Sequence, residues 1–273
     1  MTDLTLRSTQ KLLDGRAFPI FGLGVWQSRG GDEVNAVRWA LEAGYRHIDT
    51  AAIYKNEEGV GRAIRESGVP REEIWLTTKL WTNDIRKGQA RQGLEKSLER
   101  LGLDYVDLYL LHWPVEGRLA AWDEFEKMRG EGLCRSIGVS NFMVEHLEEL
   151  IAHGGTPTVN QIELHPHLQQ RDVVAFCQAK GIVVEGWSPL IQGKFKEHSL
   201  FEEIGQSVGK TAAQVVLRWA VQKQFVTIPK STNQNRIQEN ADVFDFEITA
   251  ADMARIDALE TGERFADPYN ITF

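Results

Sequence analysis

Short apolar runs alternate with amphipathic stretches along this chain about eight times, at a spacing of roughly 30 residues. Strand-length runs are expected at 21–25, 46–49, 74–79, 106–112, 136–140, 159–163, 181–187 and 225–228. Helices fill the gaps. Val34, Val37 and Leu41 make one stripe behind an Asp32 cap, and Gly44 suits the carboxyl cap of that helix. Leu94, Leu98 and Leu101 make another stripe within 89–101, and further helices are expected at 57–67, 119–129, 144–152 and 172–180. Two helical stretches before the last strand each open on a capping-box pattern, Ser199 with Glu202 and Thr211 with Gln214. A helix at 233–243, one more after Thr249 and an irregular tail at 261–273 complete the chain. Ahead of the first run, residues 5–11 alternate loosely and Asp14-Gly15 marks a tight hairpin turn.

This alternation predicts an α/β protein whose strands are parallel and covered by helices. The run at 106–112 is apolar almost throughout, as a strand buried on both faces must be. About eight units in 273 residues suit a (β/α)8 TIM barrel, a single domain over 1–273, with an N-terminal β-hairpin and extra C-terminal helices. A doubly wound sheet shares the local alternation, but its glycine fingerprint is missing. In Gly22-Leu23-Gly24-Val25-Trp26-Gln27, Gln27 stands where the third glycine belongs, and a loop follows rather than a helix. The Gly22/Gly24 pair is read as a place where the backbone passes close to something.

Charge and cysteine content narrow the partners. A net charge of −8 argues against nucleic acid or an anionic membrane. Cys134 and Cys177 are the only cysteines, each expected in a helix or at its end, so neither a disulfide framework nor a structural zinc site is indicated. No apolar run approaches the roughly 18 residues that span a bilayer, and residues 1–7 lack a signal-peptide core, so a reducing cytoplasm is expected.

In a barrel the carboxyl ends of the strands surround one mouth. Asp49 ends the second run and Tyr54 lies in the loop beyond it. Lys79 and His112 end the third and fourth, Ser140 and Asn141 follow the fifth, Gln161 lies in the sixth, Trp187 ends the seventh, and Lys230 and Ser231 follow the eighth. Each alone is more often a cap, a solvated charge or a satisfied core group; their joint occurrence is the signal. No Ser-His-Asp arrangement is present. His165 and His167 look ligand-like but lack a matching carboxylate spacing and are read as structural, so no metal is expected. A phenol beside an ammonium is a proton donor, because a nearby positive charge favours phenolate and lowers the phenol pKa. Asp49 would hold Lys79 in place and His112 would orient a carbonyl oxygen, which points to carbonyl reduction. Hydride needs a carrier. Lys230, Ser231 and Thr232 followed by Arg236 at a helix start form a basic cluster on an acidic chain, which favours a 2′-phosphate and hence NADP over NAD. Trp187 offers a flat face for a nicotinamide, and Ser140, Asn141 and Gln161 offer hydrogen bonds to its carboxamide.

With these residues in place, the chain resembles the aldo-keto reductase family. The matching stretches are Gly44-Tyr45-Arg46-His47-Ile48-Asp49-Thr50-Ala51 with Tyr54 and Asn56-Glu57, Leu111-His112-Trp113-Pro114, Gly138-Val139-Ser140-Asn141-Phe142, Asn160-Gln161-Ile162-Glu163 and Ile228-Pro229-Lys230-Ser231. The resemblance covers essentially the whole chain. It implies a metal-free (β/α)8 barrel using NADPH, with Asp49, Tyr54, Lys79 and His112 as catalytic tetrad and Tyr54 as the acid. It adds Ser188, Leu190, Thr232, Glu239 and Asn240 to the cofactor contacts Ser140, Asn141, Gln161, Trp187, Lys230, Ser231 and Arg236. Within the family the chain looks most like bacterial glyoxal and methylglyoxal reductases, 2,5-diketo-gluconate reductases and related protozoan prostaglandin F synthases. Short segments at 114–121 and 267–273 imply a shallow mouth lined by Trp26, Trp81, Trp113 and Phe142 beside His112, suited to small carbonyls; Trp39, Trp75 and Trp219 are expected in the core. The leading expectation is a monomeric NADPH-dependent reductase of small aldehydes and ketones. A cofactor-binding structural or regulatory barrel is the rival, and a metal-dependent hydrolase a third reading.

Overall fold

A hairpin opens the described part of the chain, which in this computed structural model covers residues 4–271. Strands β1 (Thr9–Lys11) and β2 (Ala17–Pro19) pair antiparallel across the Asp14-Gly15 turn, where Gly15 adopts φ +88°. The expectations for residues 1–3 and for the last two positions of the tail lie outside the described residues.

The eight remaining strands run parallel in chain order: β3 (Leu23–Gly24), β4 (His47–Asp49), β5 (Trp75–Leu80), β6 (Val106–Leu111), β7 (Cys134–Ser140), β8 (Val159–Glu163), β9 (Val183–Trp187) and β10 (Val226–Thr227). Bridges Phe21↔Thr227 and Gly24↔Lys230 join the first of them to the last and close the barrel. Gly22 and Gly24 allow this seam: a Cβ at Gly24 would stand 3.0 Å from the Ile228 carbonyl oxygen, and one at Gly22 2.6 Å from the His47 ring. That is the close passage expected of them. The predicted 21–25 and 225–228 strands shrink because their remaining pairings are isolated bridges. Inside the barrel, Leu12 and Phe18 of the hairpin pack on Trp75, Val159, Val183 and Val226, which lie at or next to the strand starts, and so plug the amino-terminal end. The carboxyl end stays open.

The helices are α1 (Asp32–Glu42), α2 (Glu57–Glu66), α3 (Thr82–Arg86), α4 (Ala90–Leu101), α5 (Arg118–Gly130), α6 (Val144–Ala152), α7 (Arg171–Ala179), α8 (Ser199–Val208), α9 (Ala212–Gln222), α10 (Gln234–Ala241) and α11 (Ala250–Asp257). Gly44 ends the first helix at φ +100°, with its N–H on the Leu41 carbonyl and that of Tyr45 on the Ala40 carbonyl. The Thr211/Gln214 capping box forms in both directions. Two other expected caps do not form. Asp32 and Ser199 are the first residues of their helices, preceded by Gly31 at φ +100° and by extended His198. Cys134 opens a strand instead of ending a helix, because the chain turns at Gly132 (φ +85°) and is extended two residues later. Trp75 and Trp219 are buried and Trp39 half-buried.

Candidate active site

The open end of the barrel gathers the expected residues. Asp49 ends β4 and Lys79 lies near the end of β5. Lys79 Nζ donates to Asp49 Oδ1 at 2.6 Å and to the Thr50 carbonyl at 2.8 Å. Tyr54 is the last residue of a 3-10 turn, Ala52–Tyr54. Its ring lies 5.2 Å from Lys79 Nζ, and its hydroxyl hydrogen-bonds that ammonium. His112 faces Tyr54 edge-on, ring centroids 5.9 Å apart, and meets Trp81 in the same manner at 5.2 Å. Asn56 fixes the surrounding loops by accepting from Thr50 Oγ1 and donating to the carbonyls of Val25 and Ser28.

Burial sets the charges. It opposes the ammonium of Lys79, but Asp49 and Tyr54 together hold that group above its ordinary range. Burial also raises the Asp49 carboxyl, against Lys79 and Gln161. The Tyr54 phenol is raised as well, because desolvation outweighs the pull of Lys79. This corrects the expectation of a lowered phenol pKa: the charge acts in the foreseen direction, but burial is larger. His112 is driven well below its usual value by burial and then Lys79, so its imidazole is neutral.

A cavity of about 1180 Å³ opens over this group. Its wall includes Asp49, Tyr54, His112, Trp26, Trp81 and Trp113 at one end. It continues past Ser140, Asn141, Gln161 and Trp187 to Ser188, Leu190, Lys230, Ser231, Thr232, Arg236, Glu239 and Asn240. Lys79 sits behind the wall, without exposure. Phe142 is not in the wall: it is fully buried and packs edge-on against His146 at 5.8 Å. Trp187 Nε1 donates to Asn141 Oδ1 at 2.9 Å, which fixes the indole plane. Lys230 and Arg236 are exposed at the far rim, where the Asn233 side chain caps α10.

Phe265, Ala266 and Glu185 are among the contributors that the sequence did not reveal. Phe265 and Ala266 of the tail line the cavity, held by backbone N–H bonds to the Glu163 carboxylate at 2.8 and 3.3 Å. Glu185, fully buried in β9, accepts from Gln161 Nε2 at 2.9 Å. Its only signal was a lone acid inside the apolar run 181–187. His165 pairs with Glu163 at 3.0 Å, and His167 stacks edge-on with His198 at 4.5 Å. Among the described residues no group of three or more His, Cys, Asp or Glu is placed to hold a metal ion, and no helix is long and apolar enough to cross a membrane.

A closed parallel barrel with a buried acid–ammonium pair, a phenol and a neutral imidazole at its mouth defines a barrel oxidoreductase. Residues 21–261 match the profile of the Aldo/keto reductase family. The chain belongs to that family of NADP-dependent oxidoreductases. It is 49% identical over 263 residues to a glyoxal reductase of Bacillus subtilis (strain 168), covering 95% of each chain. It is 46% identical over 265 residues to the methylglyoxal reductase DkgA of Escherichia coli (strain K12), covering 94% of this chain and 96% of that one. Its fold is similar to that of a Bombyx mori aldo-keto reductase solved in complex with NADP, with TM-score 0.91, 37% identity and coverage of 97% and 96%.

Proposed function

We propose that this protein reduces small aldehydes and ketones, among them methylglyoxal, glyoxal and diketo-sugar acids, to alcohols, with Tyr54 as the proton donor. The observation that carries the reading is the 2.6 Å Lys79–Asp49 pair set behind a phenol that hydrogen-bonds the ammonium, with neutral His112 alongside. NADPH, when bound, supplies hydride to the carbonyl carbon. Tyr54 gives its phenolic proton to the carbonyl oxygen, Lys79 favours the phenolate left behind, and Asp49 anchors Lys79. His112 has its Nδ1 buried, which leaves Nε2 to orient the oxygen.

The acceptor set fits a nicotinamide. Ser140 Oγ donates to the Gln161 carbonyl. Asn141 Nδ2 donates to the His112 carbonyl and to Ser140 Oγ, and Gln161 Nε2 donates to Asp49 and Glu185. All three side chains have their N–H or O–H groups engaged and lone pairs to spare, so what they can still bind is a donor. A primary amide is such a donor. Trp187 would stack on the ring, with Ser188 and Leu190 beside it. Lys230, Ser231, Thr232 and Arg236 would hold phosphate at the cap of α10, and Glu239 and Asn240 would complete the groove.

The cavity walls support small substrates: Trp26, Trp81 and Trp113 line it together with Tyr54 and His112, and Phe265 and Ala266 of the tail add to the wall. We take the chain to act as a monomer and a single barrel domain in the cytoplasm, which the buried, free Cys134 and Cys177 suit. The test is loss of NADPH absorbance with methylglyoxal, glyoxal and a diketo-sugar acid. Absence of turnover across that panel would sink the reading and favour a cofactor-binding structural role.

A further inference from the structure

Behind the reacting groups lies a carboxyl that the proposed chemistry leaves unused. Gln161 Nε2 bridges two acids, Asp49 Oδ2 at 2.8 Å and Glu185 Oε2 at 2.9 Å. The other oxygen of Glu185, Oε1, lies 3.4 Å from His47 Nε2 and is buried with no hydrogen bond from any described residue. His47 is fully buried, and burial, then Lys79, lowers its imidazole to about 3, so the ring is neutral. The cation nearest the two acids, Lys79, is already engaged by Asp49 at 2.6 Å. An ionised Glu185 would therefore sit unpaired one amide away from a second anion. A proton on Oε1 removes both the orphaned acceptor and the repulsion when His47 carries its hydrogen on Nδ1, because the acid then donates to the Nε2 lone pair.

We propose that Glu185 is a positioning residue, a neutral carboxylic acid in the working enzyme that donates to His47 and accepts from Gln161, and that its ionisation switches reduction off. The proposal rests on the reading of Tyr54 as proton donor. With Glu185 neutral, Asp49 is the only anion beneath Lys79 and Tyr54 among the described residues. When Glu185 loses its proton to solvent base, a second negative charge arises behind the phenol. No bond of the substrate is involved. An anion there opposes release of the phenolic proton, so donation to the carbonyl oxygen slows. Burial first, then Asp49, push the Glu185 carboxyl up to about 8, against smaller pulls from Gln161 and Lys79. The titratable groups facing it are His47 and Asp49 from β4, Lys79 from β5 and Tyr54 from the 52–54 turn. Gln161 of β8 and Thr77 of β5, which lies 3.4 Å from His47 Nε2, are neutral.

Two readouts test this. Carboxyl 13C NMR of protein labelled at glutamate Cδ, assigned with Glu185→Gln, follows protonation without turnover. The Glu185 resonance is expected to remain that of a protonated acid at neutral pH and to titrate on the alkaline side; an ionised resonance at neutral pH overturns the proposal. In methylglyoxal reduction with NADPH, wild-type kcat is expected to fall with the same midpoint, about tenfold per pH unit beyond it, as a single ionisation dictates. In Glu185→Gln that limb moves to more alkaline pH while KM for NADPH holds steady; coincident limbs in the two proteins overturn the proposal. Glu185→Thr, also neutral, serves both readouts should Glu185→Gln fail to fold. Retained turnover in Tyr54→Phe would remove the proton-donor reading instead, and the NMR titration would still report on Glu185.

Discussion

Lys79 Nζ and Asp49 Oδ1 stand 2.6 Å apart with side chains only 0% and 3% exposed. A pair so shut off from water holds its charges because each answers the other. Removing one partner of a buried pair costs about 3–5 kcal/mol, since the survivor keeps a charge without compensation. Lys79→Ala is expected to lose an amount near the bottom of that range, because Asp49 can take up a proton. Urea denaturation checks it, and a loss below about 1 kcal/mol would mean that the pair behaves like a solvated surface bridge.

Tyr54→Phe keeps the ring against His112 and removes only the hydroxyl. Turnover should fall by about 10²–10⁴-fold, the usual worth of a positioned general acid, with NADPH affinity nearly intact. Stopped-flow reduction and fluorescence titration separate the two effects. Near-normal turnover would take Tyr54 out of its role.

Arg236 is exposed at the groove rim, where a 2′-phosphate would lie. Arg236→Ala should weaken NADPH by about 10–100-fold, the range for a lost charge-assisted hydrogen bond, and leave NADH almost unchanged. Equal losses for both nucleotides would mean that this guanidinium does not read the phosphate.

Glu163 holds the tail by accepting from the N–H groups of Phe265 and Ala266. Glu163→Ala should free that wall, so KM for the carbonyl rises while the Kd for NADPH stays put. An unchanged KM would show that the tail keeps its place without the carboxylate.

His47 titrates near 3 in the fold but near 6.5 in an unfolded chain. Between those values the unfolded state binds more protons. Stability is therefore complete above about 6.5 and falls as pH drops toward 3, by up to about 1.4 kcal/mol per unit. His112, also lowered, acts in the same sense. Glu185 acts oppositely, favouring the fold most at low pH and losing that contribution as pH rises toward 8. Comparing wild type with His47→Asn isolates the histidine: the variant should show the shallower acid decline in urea midpoint, and parallel declines would refute its buried neutrality.

What could be read beforehand followed a simple geometry. Asp49, Lys79 and His112 end or follow apolar runs, and a barrel sends every such end to one mouth, so their meeting was legible without coordinates. Glu185 was not, because Val183-Val184-Glu185-Gly186 reads as a core strand and its partners Gln161 and His47 are reached only once the ring closes. Phe142 misled because it follows Asn141 directly, yet the turn at Asn141 (φ 62°) sends the next side chain into the core. Asp32 was misplaced by one position because Gly31 reaches a left-handed conformation that no side-chain cap is needed to complete. The sign of the Tyr54 shift required knowing how deeply the site is desolvated, which no spacing reports.

The seam between Gly24 and Lys230 has a consequence for assembly in time. All four side chains of the proposed tetrad are synthesised within the first 112 residues, yet the proposed phosphate rim is stitched to the first strand only by the last. A nascent chain still short of Ile228 would own the acid, the ammonium, the phenol, the imidazole and the residues proposed to meet the nicotinamide, but none of those proposed to hold the phosphate. Full dinucleotide binding would therefore wait for ring closure, a non-local event in such a topology.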